Sequence, residues 1–279
     1  MLRFDLKSVL TDNFLDRLTE EFRRVYGNSE EPFCDAIGTA GTMAMEILAE
    51  SDALYHDAEH SMMVTLVGQE ILRGKYLRDG RISARDWAHF IVSLLCHDIG
   101  YVRGICPGDA GNLAVVNAAG DTVKMPPAAT DAYLTPYHVE RGKLFVMWRF
   151  MDHPLIDARV IAANIENTRF PVPAATDPAI GSNWPGLVRA ADLIGQLADP
   201  DYIRKLPALF HEFEETQANQ RLGHKTHADL REQYPSFYWN FVSAHVQTSI
   251  EYLKVTRMGR KWLASLRSTM FAAQHWETM

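Results

Sequence analysis

The sequence has little cysteine and no long apolar stretch. Its three cysteines, Cys34, Cys96 and Cys106, are an odd number and lack CxxC spacing. This pattern argues against a disulfide framework and a thiolate zinc site, and it predicts a cytoplasmic protein. The longest apolar runs, such as residues 91–96, are too short to cross a bilayer, and the charged N-terminus does not resemble a signal peptide. We therefore expect neither a membrane partner nor export.

The sequence also has fewer basic than acidic residues. The chain carries 28 Lys and Arg against 35 Asp and Glu, a formal net charge of −7. Because non-specific nucleic-acid binding depends on a basic surface, we expect no nucleic-acid polymer as a partner. The net negative charge still allows a small anionic substrate if nearby Lys or Arg residues offset the negative electrostatic field of the protein. With 279 residues, of which 47% are hydrophobic and 23% charged, the chain can bury a substantial core.

Apolar residues recur at helical spacing along most of the chain, and this periodicity predicts an all-α fold. Asp12 is the expected N-cap of an early helix that contains Phe14 and Phe22. Ser83 is the expected N-cap of a helix over 84–99, which Gly100 would end. Further helices are predicted over residues 37–49, 58–77, 139–151, 155–165, 186–197, 202–218, 228–233, 237–253 and 262–274.

Two stretches rich in proline interrupt this pattern, residues 102–137 and 169–185. In the first, segments 113–116 and 122–125 flank a turn-like sequence and predict a small hairpin. An irregular segment of this length favours a lid over a neighbouring site, with a flexible insertion as the alternative. We divide the chain into a core over 1–200, which includes the insertion at about 102–137, and a helical extension over 201–279 packed on the core.

The first candidate site residues along the chain are two histidines at helical spacing. His56 and His60 are four residues apart. On a helix both imidazoles would lie on one face, about 5–6 Å apart. Such a pair can bind one metal ion, or divide the work between a metal ligand and an acid–base group. The spacing alone is a weak signal.

Two further segments carry polar groups in apolar surroundings. His97 and Asp98 follow the apolar run 91–96, where a buried carboxylate at a helix end is costly unless a cation compensates it. Asp192 lies among small and apolar residues of a predicted helix, and it too needs a partner. A metal ion would satisfy all three. The structural alternatives are a capping Asp98, a core His97 and an ion pair between Asp192 and Arg189.

The order of these residues, a His, then a His-Asp pair, then an Asp on successive helices, resembles the HD superfamily of metal-dependent phosphohydrolases. His60, His97, Asp98 and Asp192 match its four metal-binding positions. The resemblance covers about residues 54–197. It implies an HD-domain helical bundle with extra C-terminal helices and an irregular, lid-like insertion.

Residues 55–60 are also similar to the YHNxxH stretch of class I cyclic-nucleotide phosphodiesterases, with Asp57 in place of the usual Asn. The next phosphodiesterase histidine is missing after Gly100. The resemblance implies a catalytic role for His56, which would protonate the leaving oxygen. It also implies a catalytic role for Asp98, which would bridge two ions if a second is bound. His138, followed by Gly142, matches a ligand of the second metal in two-metal members.

The resemblance implies hydrolysis of a phosphoester, of a nucleotide or cyclic nucleotide, by a metal-activated water. One or two divalent ions would serve, chosen from Mn, Fe, Co, Zn and Mg. Arg103 and Lys143 are the candidate residues for the substrate phosphate, with Lys124 and Arg141 as further cations nearby. The expected partner is a small phosphorylated substrate.

Two other functions stay open at this point. The absence of a histidine pair over 165–169 is compatible with a non-catalytic signalling or scaffold protein that keeps only the helical framework. A di-iron oxygenase of the HD type is the third alternative, and the same absence speaks against it. Aromatic residues concentrated over 234–262 either stack on a nucleobase or pack in the core or a dimer interface, so a homodimer is a candidate assembly.

Overall fold

Helices provide nearly all of the regular structure, and the predicted all-α fold is confirmed. The structure, a computed structural model, describes residues 6–171 and 183–275. Most of the second proline-rich stretch, 172–182, lies outside the described residues. No helix among the described residues is both long and apolar enough to cross a membrane.

The first helices run from the N-terminus through the candidate metal-binding segments. Their bounds are α1 (Leu6–Tyr26), α2 (Glu31–Ala49), α3 (Ala58–Asp79), α4 (Ala84–Leu95), α5 (His138–Phe150), α6 (Ala158–Ile165) and α7 (Trp184–Leu197). Those of the C-terminal third are α8 (Tyr202–Glu215), α9 (Ala218–Leu222), α10 (His227–Phe237), α11 (Ser243–Leu253) and α12 (Arg257–Gln274). A π-helical turn, Tyr238–Val242, joins α10 to α11.

Several helix ends differ from their predicted positions; for example, α2 begins at Glu31 rather than at residue 37, and α12 begins at Arg257 rather than at residue 262. Asp12 does not cap α1, because the helix already includes residues 6–11, where no glycine or proline stops it. Helix α4 begins after Ser83, whose hydroxyl accepts the backbone N–H of Asp86 as a predicted N-cap should. It ends at Leu95 rather than near residue 99. The ring of His97 donates a hydrogen bond to the Leu94 carbonyl over 2.7 Å. This carbonyl would accept a backbone N–H if the helix continued.

The helices that carry the candidate site cross at close range. A Cβ on Gly195 of α7 would lie 2.7 Å from the Cα of Val64 on α3, so only glycine permits this approach. Helix α11 packs against both α3 and α7. Gly74 of α3 has no room for a Cβ beside the Tyr252 carbonyl of α11. The C-terminal helices therefore share one hydrophobic core with the helices that carry the candidate ligands.

The insertion is irregular, as predicted, and contains the predicted hairpin. Strands β1 (Leu113–Val115) and β2 (Thr122–Lys124) pair antiparallel. Arg141 of α5 is fully buried and donates to the carbonyls of Gly100, Val102 and Val115. It also forms a bidentate ion pair with Asp109, with N–O distances of 3.1 and 3.0 Å. Arg141 thus anchors the first half of the insertion to α5, and its donors are occupied inside the protein.

Candidate functional site

Three separate segments bring the four predicted metal ligands together. His60 lies in the first turn of α3, His97 and Asp98 follow the end of α4, and Asp192 lies on α7. The Asp98 Oδ2 atom is 3.3 Å from His60 Nε2 and 3.1 Å from His97 Nε2. Asp192 Oδ1 is 3.6 Å and 3.7 Å from the same two nitrogens. One atom each from His60, His97 and Asp192 forms a group compact enough to hold a metal ion.

Local structure aims these side chains at one another. The Asp57 carboxylate caps α3 by accepting the backbone N–H of His60 over 2.9 Å. Asp can replace the Asn of the phosphodiesterase motif at this position because both side chains are good N-caps. The Nδ1–H of His97 donates to the Leu94 carbonyl, which leaves its Nε2 as a lone-pair donor. Within the described residues, His97 Nε2 and Asp98 Oδ2 are buried and have no hydrogen-bond partner. Orphaned buried atoms of this kind are rare unless an ion or water satisfies them.

The electrostatics of the cluster call for positive charge. Burial lowers the pKa of His60, but the neighbouring carboxylates of Asp192 and Asp98 outweigh burial and raise that pKa to about 10. Burial also disfavours the charged form of Asp98, yet His97 and His60 hold the pKa of its carboxyl well below its usual range. Two carboxylates in a buried site thus draw protons onto the neighbouring imidazoles. A divalent cation would meet the same demand, and the nitrogen and oxygen donors suit one.

His56 lies beside this cluster and is held by a residue from far along the chain. Its Nδ1 is 2.5 Å from Oε2 of Glu212, a buried carboxylate on α8. The other oxygen of Glu212 accepts the backbone N–H groups of Tyr55 and His56, over 2.6 and 3.1 Å. Burial raises the pKa of Glu212, but the charge and hydrogen bond of His56 outweigh burial and lower it. Glu212 therefore fixes both the backbone and the ring of His56.

A stack of rings connects His56 to His138. The His56 and Tyr101 rings lie 4.6 Å apart at 11°, and the Tyr101 and His138 rings lie 4.5 Å apart at 24°. His138 Nδ1–H donates to the Thr135 carbonyl over 2.6 Å, which leaves its Nε2 free to accept. Burial lowers the pKa of His138, so the neutral ring that a metal requires is favoured.

A cavity of about 230 Å³ opens beside these residues. Its polar end includes His56, Asp98, His138 and Asp192. Its apolar part is supplied mainly by the C-terminal helices, and it is lined by Leu193, Tyr202, Leu209, Phe213, Leu222, Leu230, Tyr234, Phe237 and Phe241, together with Phe170. The C-terminal extension thus completes the cavity, in addition to sharing the core.

The structure does not bring the two predicted phosphate-binding cations to this cavity. Arg103 is paired with Asp52 and Asp131, over 2.7 and 2.6 Å. Lys143 is paired with Glu140 of α5 and with Glu166, which follows α6, over 3.1 and 2.7 Å. Neither residue lines the cavity. Both cations are close in sequence to the candidate ligands, but they form ion pairs with acidic residues, most of which only folding brings near.

The sequence did not single out two residues of the site, namely Arg189, which lines the cavity, and Glu212, which holds His56. Arg189 was considered only as an ion-pair partner of Asp192, and its guanidinium instead donates to the carbonyl and side-chain oxygens of Asn167. Glu212 carried no signal, since it is one of several acidic residues on an amphipathic helix. Only its burial distinguishes it, and burial follows from tertiary packing.

Comparison with known proteins gives one relationship. No curated protein and no solved structure matches this chain. The profile of one family, described as Npun_R2479-like, matches residues 4–276 and so spans both the His/Asp cluster and the C-terminal helices. The chain belongs to the Npun_R2479-like family.

Proposed function

We propose that this protein is a metal-dependent phosphohydrolase, similar to the HD superfamily, that hydrolyses a phosphoester of a nucleotide or cyclic nucleotide. One observation supports this most strongly. His97 Nε2 and Asp98 Oδ2 are buried without a hydrogen-bond partner among the described residues, and they face His60 and Asp192. This set of donors matches what a divalent ion binds, and a bound ion would satisfy its orphaned atoms.

His60, His97, Asp98 and Asp192 would hold one ion, from Mn, Fe, Co, Zn and Mg. His138 is the protein ligand proposed for a second ion, because it lines the same cavity as Asp98 and its free nitrogen is unprotonated. When bound, such an ion lowers the pKa of water from near 16 toward about 7 and polarises a phosphoryl oxygen. His60 and His97 must be neutral to bind it, so metal retention falls in acid.

The remaining chemistry belongs to the chain's own residues. His56 donates a proton from Nε2 to the departing oxygen, because its Nδ1 is engaged by Glu212. Glu212 holds the ring of His56 in place for this step, and acid catalysis of this kind contributes about 10²–10⁴ in rate. Tyr101 stacks on His56 and keeps its ring plane fixed. The apolar part of the cavity limits access of bulk water to the reacting groups.

The experiment measures metal content and hydrolysis together in the full chain. The purified protein is expected to contain a divalent transition metal and to hydrolyse phosphomonoesters or phosphodiesters with added Mn²⁺. His97→Ala should lose both, while His211→Ala, which removes an exposed histidine next to Glu212 on α8, should lose neither. A chelator should lower the melting temperature, since a ligand at a hundredfold excess over its Kd stabilises by about 2.7 kcal/mol.

Each other outcome refutes the proposal in a distinct way. If His97→Ala retains as much metal as the wild type, the proposed metal site is wrong. Metal binding without hydrolysis of any phosphoester favours a signalling or scaffold role. Bound iron with oxidation of an organic substrate favours the oxygenase alternative.

A further inference from the structure

Arg189 carries a buried charge for which the described residues provide no carboxylate partner. The residue lies on α7 and is 4% exposed. Its Nε donates to the Asn167 carbonyl over 2.7 Å, and Nη2 donates to the Asn167 side-chain oxygen over 3.2 Å. Asp192, one turn further along α7, forms no ion pair with Arg189 and lies against His60 and His97. Its charge only partly offsets the burial that lowers the pKa of Arg189. A buried guanidinium bonded only to neutral oxygens is costly unless an anion joins it.

A second arginine of the same cavity provides the contrast. Arg169 also lines the cavity, but it is paired with Glu140 and Glu166, each over 2.6 Å. Its charge is therefore neutralised within the protein. The two hydrogen bonds of Arg189 use only part of its planar fork, which leaves N–H groups for a ligand in the cavity. Bidentate recognition of phosphate is the usual task of such a fork.

The other end of the cavity is aromatic. The rings of Phe237 and Phe241 lie nearly parallel, 5.4 Å apart at 17°. Phe170 meets both edge-on, with centroid distances of 6.0 and 5.4 Å. His245 contacts the Phe241 ring, and its pKa is lowered by burial and then by the charge of Arg189. Arg189 thus lines the same cavity as the Asp98 and Asp192 carboxylates and the rings of Phe237 and Phe241.

We propose that Arg189 binds the negative group of the ligand of this cavity, and that the ligand is a phosphoester bearing a flat aromatic group. The phosphate lies between Arg189 and the His/Asp cluster, and the aromatic group packs on Phe237 and Phe241. A cavity of about 230 Å³ is smaller than most drug-sized sites, about 300–1,000 Å³, so it holds one compact ring system. The hydrolysis of this ligand rests on the proposed function, whereas its binding by Arg189 does not.

Two non-hydrolysable probes separate the two contacts. Phenylphosphonate carries the anion and the ring, and methylphosphonate carries the anion alone. Calorimetry on the full chain, with Mn²⁺ and with a chelator, is expected to show tighter binding of phenylphosphonate. Arg189→Gln should weaken both probes at least about tenfold, because a hydrogen bond to a charged group is lost. Phe241→Leu should weaken phenylphosphonate only.

The controls separate ligand contact from folding. Arg85→Gln removes an exposed guanidinium outside the cavity and should bind both probes as the wild type does. Arg189→Lys keeps the charge without the fork and should give intermediate affinity with a melting temperature close to wild type. Equal affinity of the wild type for the two phosphonates would overturn the proposal. So would an Arg189→Gln variant that binds as tightly as the wild type.

Failure of the proposed function would look different. Binding of phenylphosphonate that depends on Arg189, in a protein that retains no metal and hydrolyses no 4-nitrophenyl phosphate, overturns the phosphohydrolase and supports this inference. Hydrolysis with bound metal but no preference for aryl over alkyl phosphoesters overturns this inference alone.

Discussion

Glu212→Gln tests whether the negative charge of Glu212 supports the proposed catalytic role of His56. A glutamine has the same shape, and its carbonyl oxygen can still accept the backbone N–H groups of Tyr55 and His56. What it loses is the negative charge beside His56 Nδ1, at 2.5 Å in the wild type. The substitution therefore isolates one charge-assisted contact and preserves the packing around it.

The size of the effect follows from that contact. A hydrogen bond between charged groups contributes about 1.5–3 kcal/mol, and about 1.4 kcal/mol corresponds to a factor of ten. We expect kcat for phosphoester hydrolysis to fall about 10- to 100-fold in Glu212→Gln, with metal content unchanged. Glu212→Ala should be worse, since it also leaves two backbone N–H groups without their acceptor.

The same carboxylate predicts a pH dependence of stability. The pKa of Glu212 is lowered in the folded protein. Its stabilising contribution is therefore present above the ordinary glutamate pKa, about 4.3, and is lost as the pH falls through the folded value. The difference in melting temperature between wild type and Glu212→Gln should shrink in acid. An unchanged kcat, or a stability difference independent of pH, would refute the assigned role of Glu212.

Two further predictions concern the framework around the site. Asp109→Asn leaves the buried Arg141 without its counter-charge and should destabilise by about 3–5 kcal/mol in urea unfolding, whereas a loss below about 1 kcal/mol would show that the ion pair does not anchor the insertion. Gly100→Ala would place a Cβ 1.8 Å from the His138 carbonyl oxygen and should lower the melting temperature markedly; Gly38→Ala, where the nearest side-chain atom is 3.7 Å away, is the control, and equal effects would contradict the packing argument.

Much of the local structure could be read from the sequence. Helical periodicity predicted the all-α fold, and the Ser83 N-cap and the small hairpin are confirmed. His60, His97, Asp98 and Asp192 were named as one ligand set, and the structure brings them within a few ångströms of one another. Such signals are available because a cap or a repeated apolar spacing depends on residues close along the chain.

Charge partners could not be read in the same way. Arg103 and Lys143 were assigned to substrate phosphate because they follow the metal ligands in sequence, yet Asp52, Asp131 and two glutamates hold them. The predicted end of α4 lies too far along the chain, because a pattern of apolar residues does not show the hydrogen bond that the His97 ring donates to the Leu94 carbonyl.

The sequence by itself determined the kinds of element and the chemistry of the candidate ligands, since both depend on residue type and on short spacings. Tertiary structure alone decided which charges meet. Glu212 reaches the Tyr55 backbone across 157 residues, and Arg189 faces a cavity that α8, α10 and the π-helical turn complete. The spacing of apolar residues predicts that one face of a helix is buried. Which other helix covers that face depends on packing over the whole core.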